Sequence, residues 1–231
     1  MTQTALISGA SGAVGHIVAK TFTEAGWQLV LLGSSQTSAD KLTEQFPQAL
    51  ALAADLSQPD AAQGVVSDVL EHYEHIDAID AVLQVAGGFA MQSALDVTPE
   101  DINKLLTINF WTVFNLTHAV LPHLLEQGSG HIIAVSAGQA LNGGANTGAY
   151  AASKAAMSAY IKSVHAEVSQ QGVTASVLYP MGTVDTDANR SAMPNADPSN
   201  WLDPQDIADT LWHMVRRSNR GRMQEVQLHA K

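Results

Sequence analysis

Thr4-Ala5-Leu6-Ile7-Ser8, then Gly9-Ala10-Ser11-Gly12-Ala13-Val14-Gly15, then a helical pattern from His16 to Ala25, decides the reading of this chain. The first five residues are a short apolar run suited to a buried strand. The glycines that follow permit a tight turn and close approach of backbone to a pyrophosphate. The helix behind them offers free N–H groups and the positive end of its dipole. The same segment also reads as a tight strand-to-helix turn without a ligand. Its Gly-x-x-Gly-x-x-Gly spacing differs from the Gly-x-Gly-x-x-Gly of many dinucleotide folds.

Strand-like and helix-like segments alternate along the rest. Strands are expected near 3–8, 28–33, 49–54, 78–86, 130–136, 173–179 and 223–228, and helices near 14–25, 38–46, 60–74, 99–127, 149–170 and 204–217. Such alternation predicts an α/β fold: a single domain, 1–231, with a doubly wound parallel sheet of about seven strands and helices on both faces. Ligands of such sheets lie beyond the carboxyl ends of the strands, at the switch point. Gly9, Asp55, Ala86, Ser136 and Pro180 fall at such ends. Two segments lack a regular pattern, Ala137–Gly148 and Met181–Leu202. The second is expected to close over a substrate, since loops this long in a compact domain are usually functional.

The net charge is −11, from 11 Lys+Arg against 22 Asp+Glu. This balance is read as leaving no basic cluster, so neither nucleic acid nor an anionic membrane is an expected partner. No cysteine is present, which fits a reducing, cytoplasmic setting. The first strand is expected within three residues of the start, so no signal peptide is expected, and no apolar run approaches the ~20 residues of a membrane helix. His72 and His75 sit three apart on a helix, but no third ligand has matching spacing, so no metal is expected.

Tyr150 and Lys154 stand four apart on a predicted helix and share a face. A protonated Lys so placed is expected to draw the Tyr pKa down toward working pH, making Tyr150 a proton donor. These residues, with the glycine turn at this separation, resemble the short-chain dehydrogenase/reductase superfamily over the whole chain, and the fold is then Rossmann-like. The resemblance implies an NAD(P)H-dependent reductase. It implies cofactor contacts at Gly9, Ser11, Gly12, Ala13, Val14, Gly15, Ser34, Asp55, Leu56, Ala86, Gly87, Gly88, Pro180, Thr183 and Thr186. Tyr150 and Lys154 would also meet the cofactor, Lys154 through the nicotinamide ribose. It places Asn109 in a water-mediated relay to Lys154; read by itself, Asn109 could bend its helix or bind a structural water.

A narrower likeness is to dihydropteridine reductases. It is carried by Gly9-x-x-Gly12-Ala13-x-Gly15, Ile76-Asp77-Ala78, Val85-Ala86-Gly87-Gly88-Phe89-Ala90 and the stretch from Asp185 to Trp201. Counting back thirteen residues from Tyr150 puts Ala137 where the superfamily has its catalytic Ser, which dihydropteridine reductases similarly lack. A one-residue bulge would let Ser136 serve instead. Losing one donor to a developing alkoxide costs on the order of 3 kcal/mol. A quinonoid pterin spreads its charge, so Ala137 suits a pterin better than a ketone. A carbonyl or alcohol oxidoreductase, 3-oxoacyl reductase-like, is the first rival, and a dinucleotide-binding regulator without turnover the second. Ala137, Arg190, Met193 and Trp201 are the substrate-side candidates. Gly33-Ser34-Ser35 carries no acid for a ribose 2′-OH and no Arg for a 2′-phosphate, so NADP(H) is only slightly favoured over NAD(H), with Asp40 as an acid that could reach in. The apolar faces of the helices at 99–127 and 149–170 predict a homodimer or homotetramer.

Overall fold

The structure, a computed structural model, describes residues 3–72, 76, 78–218 and 220–231. In chain order the elements are β1 (Thr4–Ser8), α1 (Ala13–Glu24), β2 (Gln28–Gly33), α2 (Gln36–Gln45), β3 (Leu50–Ala53), α3 (Pro59–His72), β4 (Ala81–Gln84), α4 (Pro99–Leu106) and α5 (Thr112–Gln127). They continue with β5 (Gly130–Val135), α6 (Gln139–Asn142), α7 (Gly148–Val168), β6 (Val173–Met181), α8 (Asp187–Ala192), α9 (Pro204–Val215) and β7 (Glu225–His229). The seven strands form one sheet in the order β3-β2-β1-β4-β5-β6-β7, and every pairing is parallel. The chain winds outward from β1 to β3, then returns to β4 beside β1, which makes the crevice at that reversal.

Strand side chains alternate between two cores. On β1, Leu6 joins the layer under α3, α5 and α7, whereas Ala5 and Ile7 join the layer under α1, α2 and α9. Phe22, Trp27 and Trp212 pack edge-on in that second layer, at centroid separations of 5.2–5.8 Å. Burial on both faces explains the unbroken apolar runs of the central strands, whereas the edge strand β7 alternates.

Three expectations need correction. The helix expected over 99–127 is α4, a wide π turn at Thr107–Trp111, and α5. A capping box between Thr98 and Asp101 starts α4. The segment 137–148 contains α6, and 181–202 contains α8 and a short turn at Pro198–Asn200. A bridge between Val184 and Leu202 closes the base of the latter loop. Finally, the bulk acidity conceals a basic run: Arg216, Arg217, Arg220 and Arg222 fall within seven positions after α9. Among the described residues no helix is long and apolar enough to cross a membrane, and no acidic or histidine group could hold a metal. Asp77, His75 and the side chain of His72 lie outside the described residues.

Candidate active site

The loops after β1 and β4 touch, and glycine makes that contact possible. Gly9 is left-handed (φ 72°), and a Cβ there would stand 2.6 Å from Ala86 N. A Cβ on Gly15 would meet Gly9 O at 2.1 Å, so α1 begins directly on the turn. Gly12 donates its N–H to Gly9 O at 3.0 Å and precedes the first turn of α1, which carries no acidic residue to oppose an anion.

Beside this turn runs a cleft of about 610 Å³. Twelve expected cofactor positions line it: Gly9, Ser11, Gly12, Ala13, Val14 and Gly15; Ser34; Asp55 and Leu56; Ala86 and Gly87; and Thr186. Gly88, Pro180, Thr183, Tyr150 and Lys154 lie outside its lining. The cleft also takes in residues the sequence reading missed, among them Leu32, Ala54, Ser57 and Val85, which flank the strand ends already named. Thr107, Ile108 and Thr112 also line it, from the π turn and the start of α5, a turn that hydrophobic spacing does not signal.

Each cleft residue has a local cause. Asp55 accepts from Ser57 N at 3.0 Å and Ser57 Oγ at 2.7 Å, closing the turn after β3. Asn115 holds the same turn by donating to Leu56 O. Asp40, the acid the sequence offered for the ribose, accepts from Gln36 on its own helix and is not in the lining. Ser35 caps α2, leaving Ser34 as the polar side chain at that end of the cleft. Thr186 caps α8 while lining the cleft.

Asn109 is fully buried within the π turn. Its Oδ1 accepts from Gly88 N and its Nδ2 donates to Gly88 O, both at 2.9 Å, and Nδ2 reaches Ser153 Oγ at 3.0 Å. A Cβ on Gly87 would stand 2.8 Å from Asn109 Oδ1 and 2.9 Å from Lys154 Nζ. Gly87 is therefore where the cleft meets the Tyr150 helix. Lys154 Nζ donates to Val135 O at 2.9 Å.

Burial pushes the Tyr150 phenol up to about 12 and the Lys154 ammonium down to about 8. The four-residue spacing predicts that Lys154 lowers Tyr150; burial raises it instead. Tyr150 consequently holds its proton across the neutral range. Phe89 stands edge-on to its ring at a centroid separation of 4.8 Å and is 56% exposed, a neighbour that the glycine motif beside it could have flagged.

Of the substrate candidates, Ala137 is buried and Met193 is 38% exposed. Arg190 is paired with Asp185 through two hydrogen bonds of 2.6 and 2.7 Å. Trp201 donates its backbone N–H to Pro198 O within the short turn. The Ser136 hydroxyl is buried against Ser158 Oγ, at 2.8 Å.

The short chain dehydrogenase family matches residues 3–197. An uncharacterized oxidoreductase from Staphylococcus epidermidis is 26% identical over 227 residues, covering 98% of this chain and 96% of that protein. A solved structure described as ElxO with NADP bound superposes with a TM-score of 0.91 at 14% identity, over 99% of this chain and 98% of that one. The 3-ketoacyl-(acyl-carrier-protein) reductase from Brucella melitensis, complexed with NADH, superposes with a TM-score of 0.84 at 22% identity, over 98% and 96%. With the glycine turn, the cleft and the Tyr150–Lys154 helix, the match over residues 3–197 makes this chain a member of the short chain dehydrogenase family, an NAD(P)-dependent oxidoreductase.

Proposed function

We propose that the protein reduces a planar, conjugated substrate, a quinonoid dihydropteridine being the best fit. The observation that carries this reading is the pairing of a protonated Tyr150 with Ala at position 137. A proton donor is present, but the extra hydroxyl that would steady a ketone's alkoxide is not at that position. The exposed aromatic ring of Phe89 beside Tyr150 supports a flat ring as the occupant.

The cleft fits a nicotinamide dinucleotide. The backbone N–H groups at the start of α1 and the side-chain-free surface of Gly9, Gly12 and Gly15 would hold its pyrophosphate. Asp55, Leu56 and Ser34 would border the adenosine, and Lys154, Gly87 and Thr186 the nicotinamide end. When bound, the dinucleotide supplies the hydride. Tyr150 gives the proton, Lys154 favours the phenolate left behind, and Asn109 keeps the Gly88 backbone and Ser153 in register. The loop over 181–202 closes the substrate side. NADP(H) is slightly preferred, because no acid borders the cleft at Ser34.

The second reading is a 3-oxoacyl or simple carbonyl reductase. The Brucella neighbour has that activity in its name, and Ser136 would then supply the oxyanion donor. That role requires Ser136 to leave Ser158. Specificity constants for quinonoid pterins, simple ketones and 3-oxoacyl thioesters discriminate the two. The assembly is a homodimer or homotetramer through the π turn, α5 and α7, supported by the aromatic cluster of Phe110, Trp111, Phe114 and Tyr160 with Trp111 45% exposed.

A further inference from the structure

Tyr179 is a fully buried phenol on β6 with no task in the reduction itself. Its hydroxyl donates to Glu225 Oε2 on β7 at 3.0 Å, and Lys162 approaches the same carboxylate at 3.4 Å. Ser158 on α7 stands against the same phenol. Ser158 Oγ donates to the Lys154 carbonyl at 2.8 Å and meets Ser136 Oγ at 2.8 Å. Ser136 Oγ reaches that carbonyl at 3.4 Å. The residue before Ser136, Val135, accepts from Lys154 Nζ. Val135, the last residue of β5, and Ser136, just after it, thus hold both ends of Lys154, Val135 its ammonium and Ser136 its backbone.

We propose that Ser136, Ser158 and Tyr179 are positioning residues that set Lys154 against β5, anchored at the far end by Glu225. The proposal rests on the reading of Lys154 as the partner of Tyr150. A hydroxyl bonded back to the carbonyl four residues earlier does little for a helix and tends to bend it. Burying two serines and a phenol in an otherwise apolar layer is unfavourable unless each is satisfied. A satisfied network of this kind makes one arrangement rigid. The row does not conduct protons to the ammonium, since it ends on a carbonyl, which only accepts. Burial alone lowers the Lys154 ammonium, and among the described residues no charged side chain contributes. The network therefore governs how deeply that ammonium is held from water.

NMR of the lysine ε-carbons in the full chain, with Lys154→Met as the assignment, follows this titration without any substrate. The parent should titrate near 8. Tyr179→Phe, which keeps the ring, and Ser158→Ala should each raise the midpoint by about half a pH unit or more as the ammonium gains water. Ser158→Thr, which keeps the hydroxyl, should restore the parent midpoint. Thr174→Val removes an equally buried β6 hydroxyl that bonds His131 instead. It should lower Tm and leave the midpoint in place. In turnover of a quinonoid dihydropterin or a 3-oxoacyl thioester, Tyr179→Phe should lower kcat about five- to tenfold with KM unchanged. An unmoved midpoint in both folded variants, or an equal shift in Thr174→Val, overturns the proposal. If Lys154→Met also loses turnover, the reading of Lys154 survives that failure. If Lys154→Met turns over normally, both fall.

Discussion

At the residue scale the proposed chemistry rests on two side chains whose environments push them in opposite directions. Burial pushes Tyr150 up to about 12 and Lys154 down to about 8. Tyr150→Phe keeps the ring and its edge contact with Phe89 but removes the donor. Its kcat should fall on the order of 10²-fold or more with little change in dinucleotide affinity, and steady-state kinetics with a fluorescence titration of the dinucleotide check both. The lowered Lys154 value has a stability consequence. Between about 8 and 10.5 the unfolded chain holds a proton on this group that the folded chain has lost, so stability rises with pH across that window. The full gain is of order 3 kcal/mol. Urea denaturation at several pH values should show the rise in the parent and not in Lys154→Met. An equal rise in both would assign it to other groups.

At the scale of elements, the strands were legible because a two-sided sheet demands uninterrupted apolar runs, as in β1 and β4. The glycine turn was legible because backbone contact, Gly9 against Ala86 and Gly15 against Gly9, excludes every larger residue. The π turn around Asn109 was not, because the bonds Asn109 makes there reach Gly88, twenty-one residues away, which local spacing does not report. Nor was the Tyr150 pKa, which depends on burial that four-residue spacing does not report. The junction of β2 and α2 shows what sequence does decide. Small residues are needed there, since a Cβ on Gly33 would meet Ser38 Cβ at 2.8 Å. The adjoining Ser34 offers neither an acid nor a strong cation to the cleft. The parent should prefer NADPH by less than about tenfold, the scale of one exposed contact. Ser34→Asp should move kcat/KM toward NADH by adding a 2′-OH acceptor. A parent favouring NADH about a hundredfold would contradict this account of the pocket.

At the scale of the molecule, the aromatic cluster of Phe110, Trp111, Phe114 and Tyr160 leaves Trp111 45% exposed, and Ile102 on α4 is 36% exposed. An apolar face of that kind is better covered by a second copy than by water. Light scattering at micromolar concentration should give a dimer or tetramer mass, and Trp111→Lys should shift it toward the monomer; a monomeric parent removes the claim. The two-layer core, with the crevice at the β1–β4 reversal, carries the oxidoreductase reading, while the pterin reading rests on Ala137 and Phe89. The most direct test compares kcat/KM, with NADPH, for a quinonoid dihydropterin against simple ketones and 3-oxoacyl thioesters. The account predicts a pterin preference of about a hundredfold or more, the scale of one missing oxyanion donor. A comparable preference for a ketone or a 3-oxoacyl thioester would contradict it.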